Sequence, residues 1–150
     1  MDREGLGRYL HERIPLSRAM GVSVLELSPD IVRLAAPLAP NVNHRGSAFG
    51  GSIASLAALA GWGWLRARLD GRDPLPGLVI QHQAIEFEAA ATADLVATCA
   101  APQAEEWTRF VKLLERRGRA RLELAVEVMA GGRTAARARG TYVAVAGGEE

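Results

Sequence analysis

Gly50 and Gly51 stand where a polar loop, Asn43-His44-Arg45-Gly46-Ser47-Ala48-Phe49, meets a segment that carries no charge as far as Leu65. Two adjacent glycines let another molecule come close to the backbone. If a helix starts there, its first amides lack internal acceptors and lie at the positive end of the helix dipole. A carbonyl oxygen held against them is polarised, and an oxyanion forming on it is stabilised. Removing one such donor costs about 2.7–4 kcal/mol of transition-state stabilisation.

Ser52 and Ser55 follow, spaced to share a helix face. A serine hydroxyl can position a water or attack as a nucleophile, but it needs a base. His44 and His82 are candidate bases, because neutral imidazole is available near pH 7. His82 reads as a strand residue on the face of Ile80 and Ala84. Asn43 and Gln81 can hold a carbonyl or a water, and Phe49 borders the same place. Each residue also has a plainer use. The glycine pair can serve tight helix-to-sheet packing, the serines can bond to a carbonyl one turn back, and His44 can order its loop. No metal site is legible: His11, His44 and His82 lie far apart and not at ligand spacing from Cys or carboxylates. A P-loop or Rossmann glycine pattern is absent too.

These residues need elements to hold them. Residues 3–13 read as a short helix with Leu6, Tyr9 and Leu10 at helical spacing, closed by Pro15. Residues 21–27 and 31–36 read as a hairpin around Ser28-Pro29-Asp30. Pro37 and Pro40 end it, and the long apolar helix from Phe49 stops at the breaker cluster Asp70-Gly71-Arg72-Asp73-Pro74. Residues 78–88 and 94–100 read as a second strand pair. In 103–117, Trp107, Phe110, Val111 and Leu114 repeat at helical spacing, with Gly118 able to cap the end. A last hairpin alternates apolar Ala120, Leu122, Leu124, Val126 and Val128 with Arg119, Arg121, Glu123 and Glu127. Gly131-Gly132 turns it, and residues 134–145 return. The acidic tail 147–150 is expected to fray.

The 150 residues fit one domain, 1–150. A chain this size buries roughly 68–70% of its unfolded surface, so no staple is needed. A net charge of +1 gives no bulk attraction for nucleic acid. A single cysteine, Cys99, excludes an intramolecular disulfide and reads as a small hydrophobe in a buried strand. The expected compartment is a reducing cytoplasm, and the N-terminus has no signal-peptide pattern. The charge-free stretch is at the short limit for a membrane span and is diluted by Gly50, Gly51, Gly61 and Gly63, so no membrane role is expected. A helix without a polar face must instead be enclosed. Six strands can form the enclosure. The pattern is that of an α+β hotdog fold, a curved antiparallel sheet of five to six strands wrapped around a long central helix.

The sequence resembles the thioesterase superfamily of hotdog proteins. Asn43, Gly46, Gly50 and Gly51 match the family's Asn-x-x-Gly-x-x-x-Gly-Gly. The string from Asn43 to Trp64, with Arg18-Ala19-Met20-Gly21-Val22 and the stretch 37–43, is similar to one branch. These are thioesterase domains of which some are fused to the C-terminus of bacterial acetyltransferases. The resemblance spans nearly the whole chain and is strongest over 15–65. It implies acyl thioester substrates on coenzyme A or acyl carrier protein, with no cofactor. It also implies a homodimer or dimer of dimers with substrate at the subunit interface, and an acetyltransferase as a possible partner. In the family the strand bearing Gln81 and His82 borders the substrate channel. Arg116, Arg117, Arg119 and Arg121 can meet coenzyme A phosphates, or simply form a solvated face paired with Glu123 and Glu127.

The match breaks at two places. Well-studied members of the superfamily carry His before the glycine pair, where this chain has Phe49, and a carboxylate about two turns into the helix, at or near Ala58 here; the resemblance to the acetyltransferase-linked branch implies that the missing carboxylate is a trait of that branch. No Asp or Glu lies between Asp30 and Asp70. Three functions therefore remain. The first is hydrolysis of a thioester held at Gly50 and Gly51, with Asn43, His44, Gly51 and Ser55 as catalytic groups and Phe49, Ser52, Gln81 and His82 binding substrate. The second is binding of an acyl thioester without cleavage. The third, dehydration, needs His with a helix carboxylate and ranks last.

Overall fold

The computed structural model describes residues 1–147, so part of the tail expected to fray lies outside the described residues. Asp2 opens the first helix: its side chain accepts from the Gly5 amide at 2.7 Å. That helix, α1 (Arg3–Arg13), buries Leu6 and Leu10. Pro15 does more than close it. It begins a second short helix, α2 (Pro15–Ala19), at the first position, where a missing N–H costs nothing.

The first hairpin is β1 (Ser23–Leu27) and β2 (Ile31–Ala36). Ser28 orders its turn, its hydroxyl accepting from the Asp30 and Ile31 amides. A 3₁₀ turn, Ala39–Asn41, leads to α3 (Gly50–Leu69). Then come β3 (Gly77–Phe87), β4 (Leu95–Ala100), α4 (Ala104–Arg117), β5 (Arg119–Ala130) and β6 (Arg133–Val145). Gly118 takes a left-handed φ of 65° to end α4, its amide bonding to the Leu114 carbonyl at 2.9 Å.

All six strands form one antiparallel sheet in the order β1-β2-β4-β5-β6-β3. The sheet curves around α3, and the fold is the α+β hotdog. One pairing differs from the sequence reading. β3 and β4 are not partners: β3 pairs with β6 at the sheet edge, and β4 sits between β2 and β5. The link between them lacks a tight-turn signal. It instead passes the start of α3, where Ala91 O accepts from the Ala48 amide at 2.8 Å. The β5–β6 hairpin occupies the gap, because its glycine turn pairs those strands locally.

The core lies between sheet and helix: Leu56, Leu65 and Trp64 of α3 meet Leu34, Leu95, Leu124 and Val128, all buried. Gly61 marks the closest approach. A Cβ there would lie 2.3 Å from the Tyr142 hydroxyl. That hydroxyl donates to the Ala58 carbonyl at 3.0 Å and fixes the middle of the helix to β6. Burial raises the Tyr142 pKa and keeps the phenol a donor. The enclosure of α3 is incomplete, however. Gly51, Ser55, Ala58 and Trp62, on one face, are only half-buried. Among the described residues, no helix is long and apolar enough to cross a membrane.

Candidate functional site

The loop before α3 is built around Asn43. Its side-chain oxygen accepts from the Arg45 amide at 2.8 Å and the Ser47 amide at 3.3 Å. Its amide nitrogen donates to Ser47 Oγ at 2.9 Å and Ala48 O at 3.5 Å. Asn bonds its own following backbone in this way because its amide mimics a peptide. The Asn43 side chain therefore shapes the loop from within. Gly46, with φ of 80°, completes the turn. His44 is exposed on the same loop.

The chain then enters α3. The Phe49 amide donates to Asn41 O at 2.7 Å, and the Phe49 carbonyl takes the first helical bond, from Ile53 at 3.1 Å. No side chain caps this end. The amides of Gly50, Gly51 and Ser52 thus have no helical acceptor. Two rings border them. A Cβ on Gly50 would sit 3.4 Å from Phe87 Cζ, and one on Gly51 would sit 2.4 Å from Phe49 Cε1. Phe49 and Phe87 are themselves 57% and 53% exposed. The result is an uncapped helix N-terminus, at an open surface, between two aromatic rings. It can accept a carbonyl oxygen and the charge that develops on it.

Ser55 lies one turn further in. Its hydroxyl donates to Gly51 O at 2.7 Å, the bond to the preceding turn that serines often make in helices. Ser52 is half-buried beside it. Together, Gly50, Gly51, Ser52, Ser55 and Phe49 gather in the first turns of α3. Gln81 and His82 do not join them.

The reason is a β-bulge. Ile80 pairs with Tyr142, yet His82 pairs with the next residue, Thr141. Gln81 is the extra residue, so Ile80 and His82 face opposite sides of the sheet. Tyr142 points at α3, which turns His82 outward, where it is exposed. Gln83 takes the inward place: its side-chain nitrogen donates to Ala54 O at 3.0 Å. Gln83 and Phe87 are the site-facing residues that the sequence reading missed. Alternation counted back from Phe87 through Ile85 reaches Gln83, whereas alternation counted from Ile80 reaches His82. Only the bulge decides between them.

The arginines at 116, 117, 119 and 121 are exposed. Glu123 and Glu127 pair instead with Arg139 at 2.8 Å and Arg137 at 3.1 Å across the hairpin. Cys99 is fully buried in β4, and burial pushes its thiol up to about 12, which makes it a packing residue rather than a nucleophile. No group of His, Cys, Asp and Glu among the described residues could hold a metal ion.

Comparison with known proteins gives the family and the fold. Residues 3–146 match the family described as "Putative thioesterase (yiiD_Cterm)". A protein of unknown function from Chlorobaculum tepidum superposes with a TM-score of 0.91 at 25% identity, over 96% of this chain and 94% of its own. A protein described as a putative thioesterase, from Shewanella oneidensis, gives 0.82 at 29%, over 95% and 96%. A Haemophilus influenzae thioesterase gives 0.78 at 12%, over 100% and 94%, which speaks for the fold alone. No curated protein matches.

Proposed function

The chain belongs to the YiiD_C family of putative thioesterases, and on that premise we propose that it hydrolyses an acyl thioester of coenzyme A or acyl carrier protein. The observation that carries this reading is the uncapped first turn of α3 at Gly50 and Gly51, open between Phe49 and Phe87. The thioester carbonyl lies against the free amides; water adds to its carbon as the amides take up the oxyanion, and the intermediate collapses by breaking the C–S bond, so that the sulfur leaves as the free thiol with a proton from the water and the carboxylic acid is released. Asn43 holds the loop that presents them. Phe49 and Phe87 flank the acyl or thiol arm.

No carboxylate of α3 activates the water, since the helix carries Ala58 where well-studied members of the wider superfamily have Asp or Glu. A homodimer through the free edge of β3 is part of the proposal. That strand leaves Val79, Ile80 and Phe87 exposed, and a long apolar edge invites a second copy. Such pairing would also cover the half-buried face of α3 at Gly51, Ser55 and Ala58. The test is steady-state thiol release from a panel of short- to long-chain acyl-coenzyme A thioesters, with mass measured by light scattering. Turnover with a chain-length preference by a dimer is expected. A monomeric protein without turnover would overturn the proposal.

A second reading, binding without cleavage, is favoured by one observation. The Ser55 hydroxyl already donates to Gly51 O, and no carboxylate stands beside it on α3. Acyl-coenzyme A binding without thiol release would establish that reading.

A further inference from the structure

Two polar side chains of the sheet reach the backbone of α3 among the described residues, Tyr142 and Gln83. They differ in what they leave over. Tyr142 is 1% exposed, and its one hydroxyl proton goes to Ala58 O. Gln83 is half-buried on the inner face of β3, and its Nε2 donates to Ala54 O at 3.0 Å. That carbonyl already accepts from the Ala58 amide in the regular bonding of an α-helix. The bond from Gln83 is therefore not needed to satisfy α3, and its effect falls on Gln83 itself. With the nitrogen fixed on a carbonyl, the planar amide must turn its oxygen, an acceptor, away from it. Among the described residues Oε1 accepts no hydrogen bond, and it is not sealed from solvent.

Ala54 and Ala58 are small and half-buried, and Ala58 shares the open face of α3 with Gly51 and Ser55. Gln83 thus meets the helix beside the place where well-studied members of the wider superfamily have their carboxylate. The histidines do not come here: His82 is turned out of the sheet, and His44 stands exposed on its loop. Ala54 lies four residues beyond Gly50, roughly 6 Å along the helix axis. A donor-to-oxyanion distance of about 2.7–3.1 Å and a nucleophile about 3–3.5 Å from the carbon together span that separation.

Given the hydrolysis proposed above, on which this rests, we propose that Gln83 is a catalytic residue that holds the attacking water. One O–H of the water donates to Gln83 Oε1, which turns a lone pair of the water oxygen toward the thioester carbon. The oxygen adds to that carbon, the amides at Gly50 and Gly51 take the oxyanion, and the C–S bond breaks. A side-chain amide takes up no proton near neutral pH, so Gln83 orients the water and keeps neither of its protons. One passes through solvent to the leaving sulfur, and the other stays on the carboxylic acid.

Steady-state thiol release from the acyl-coenzyme A thioester that the wild type turns over best, followed against pH, tests this, with denaturant unfolding to show that each variant is folded. Gln83→Leu and Gln83→Met remove the acceptor and keep the bulk. Both are expected to lower kcat about a hundredfold, the scale of a misplaced reactant. KM should stay within about threefold, since the interaction lost is one made in the transition state. Gln83→Glu puts an acceptor that is also a base in the same place. Its kcat at neutral pH is expected to match or exceed that of the wild type, and to fall in acid as the carboxylate protonates, around pH 4.3 for an ordinary Glu. A folded Gln83→Met protein with kcat within about threefold of the wild type, or with a loss that falls on KM alone, would overturn the proposal. So would a Gln83→Glu variant as slow as Gln83→Leu at every pH. No turnover by the wild type would remove the hydrolysis reading and this role with it, whereas turnover that the variants retain removes the role of Gln83 alone.

Discussion

The two halves of α3 are made of different residues and meet different surroundings. From Gly50 to Ala58 the residues on the open face are small, the helix end is uncapped, and that face is half-buried. From Trp62 onward the helix carries large packed side chains, among them Trp62, Trp64 and Leu65. Trp64 is 2% exposed, its Nε1 donates to Pro29 O at 3.1 Å, and its ring meets Trp107 edge-on at 5.4 Å. Arg68 lies over the Trp107 ring at 5.0 Å, and Trp107 stacks on Phe110. A helix with no polar face thus does two jobs. One end is locked by packing, and the locked end holds the other still while leaving its backbone accessible. A site of exposed amides needs that rigidity, because an oxyanion is stabilised only by donors already in place.

Substitutions in each half should separate these jobs. Trp64→Ala has the largest expected effect, about 3–5 kcal/mol of lost stability from the cavity and lost burial. Turnover per folded molecule should fall far less than in Gly51→Val, because Leu56, Leu65 and the Tyr142 bond to Ala58 O still hold the helix, and denaturant unfolding with activity assays at low temperature measures both. Gly51→Val is the converse. The added side chain crowds an exposed Phe49 ring that can move, so folding should survive. Access to the amides is lost, and turnover should fall about 10²–10³-fold. A folded Gly51→Val protein with unchanged turnover would remove the amides from the mechanism.

Smaller effects sharpen the picture within the open half. Asn43→Ala removes four bonds that shape the loop, so turnover should drop about tenfold and more than in Ser47→Ala. Equal effects from the two would mean that the loop does not depend on Asn43. Ser55→Ala deletes a single bond to Gly51 O, worth about 0.5–1.5 kcal/mol. A loss of turnover of only a few-fold is expected, and a loss beyond about a hundredfold would make the hydroxyl a nucleophile.

Much of this was legible in the residues. The alternation from Ala120 to Val128, the glycine turn after it and the charge-free run from Phe49 report burial directly, because strand and helix periods are local. The glycine pair marks the helix start just as locally. Other features were not local. Nothing in the segment 88–94 says that it crosses past α3 instead of turning back, and nothing around Pro15 separates a helix end from a helix start.

By itself the sequence determined most of the helices and strands, the alternating face of the last hairpin, and the start of a long apolar helix at a glycine pair. The physical reason is that side-chain period, glycine and proline act over a few residues. The tertiary structure alone decided that β3 lies at the edge beside β6, that one inserted residue at Gln81 turns His82 out and Gln83 in, and that Phe87 comes to rest against Gly50. Strand partners are chosen by the fit of distant segments, and a bulge shows only against the partner strand, so neither is written in any one stretch of chain.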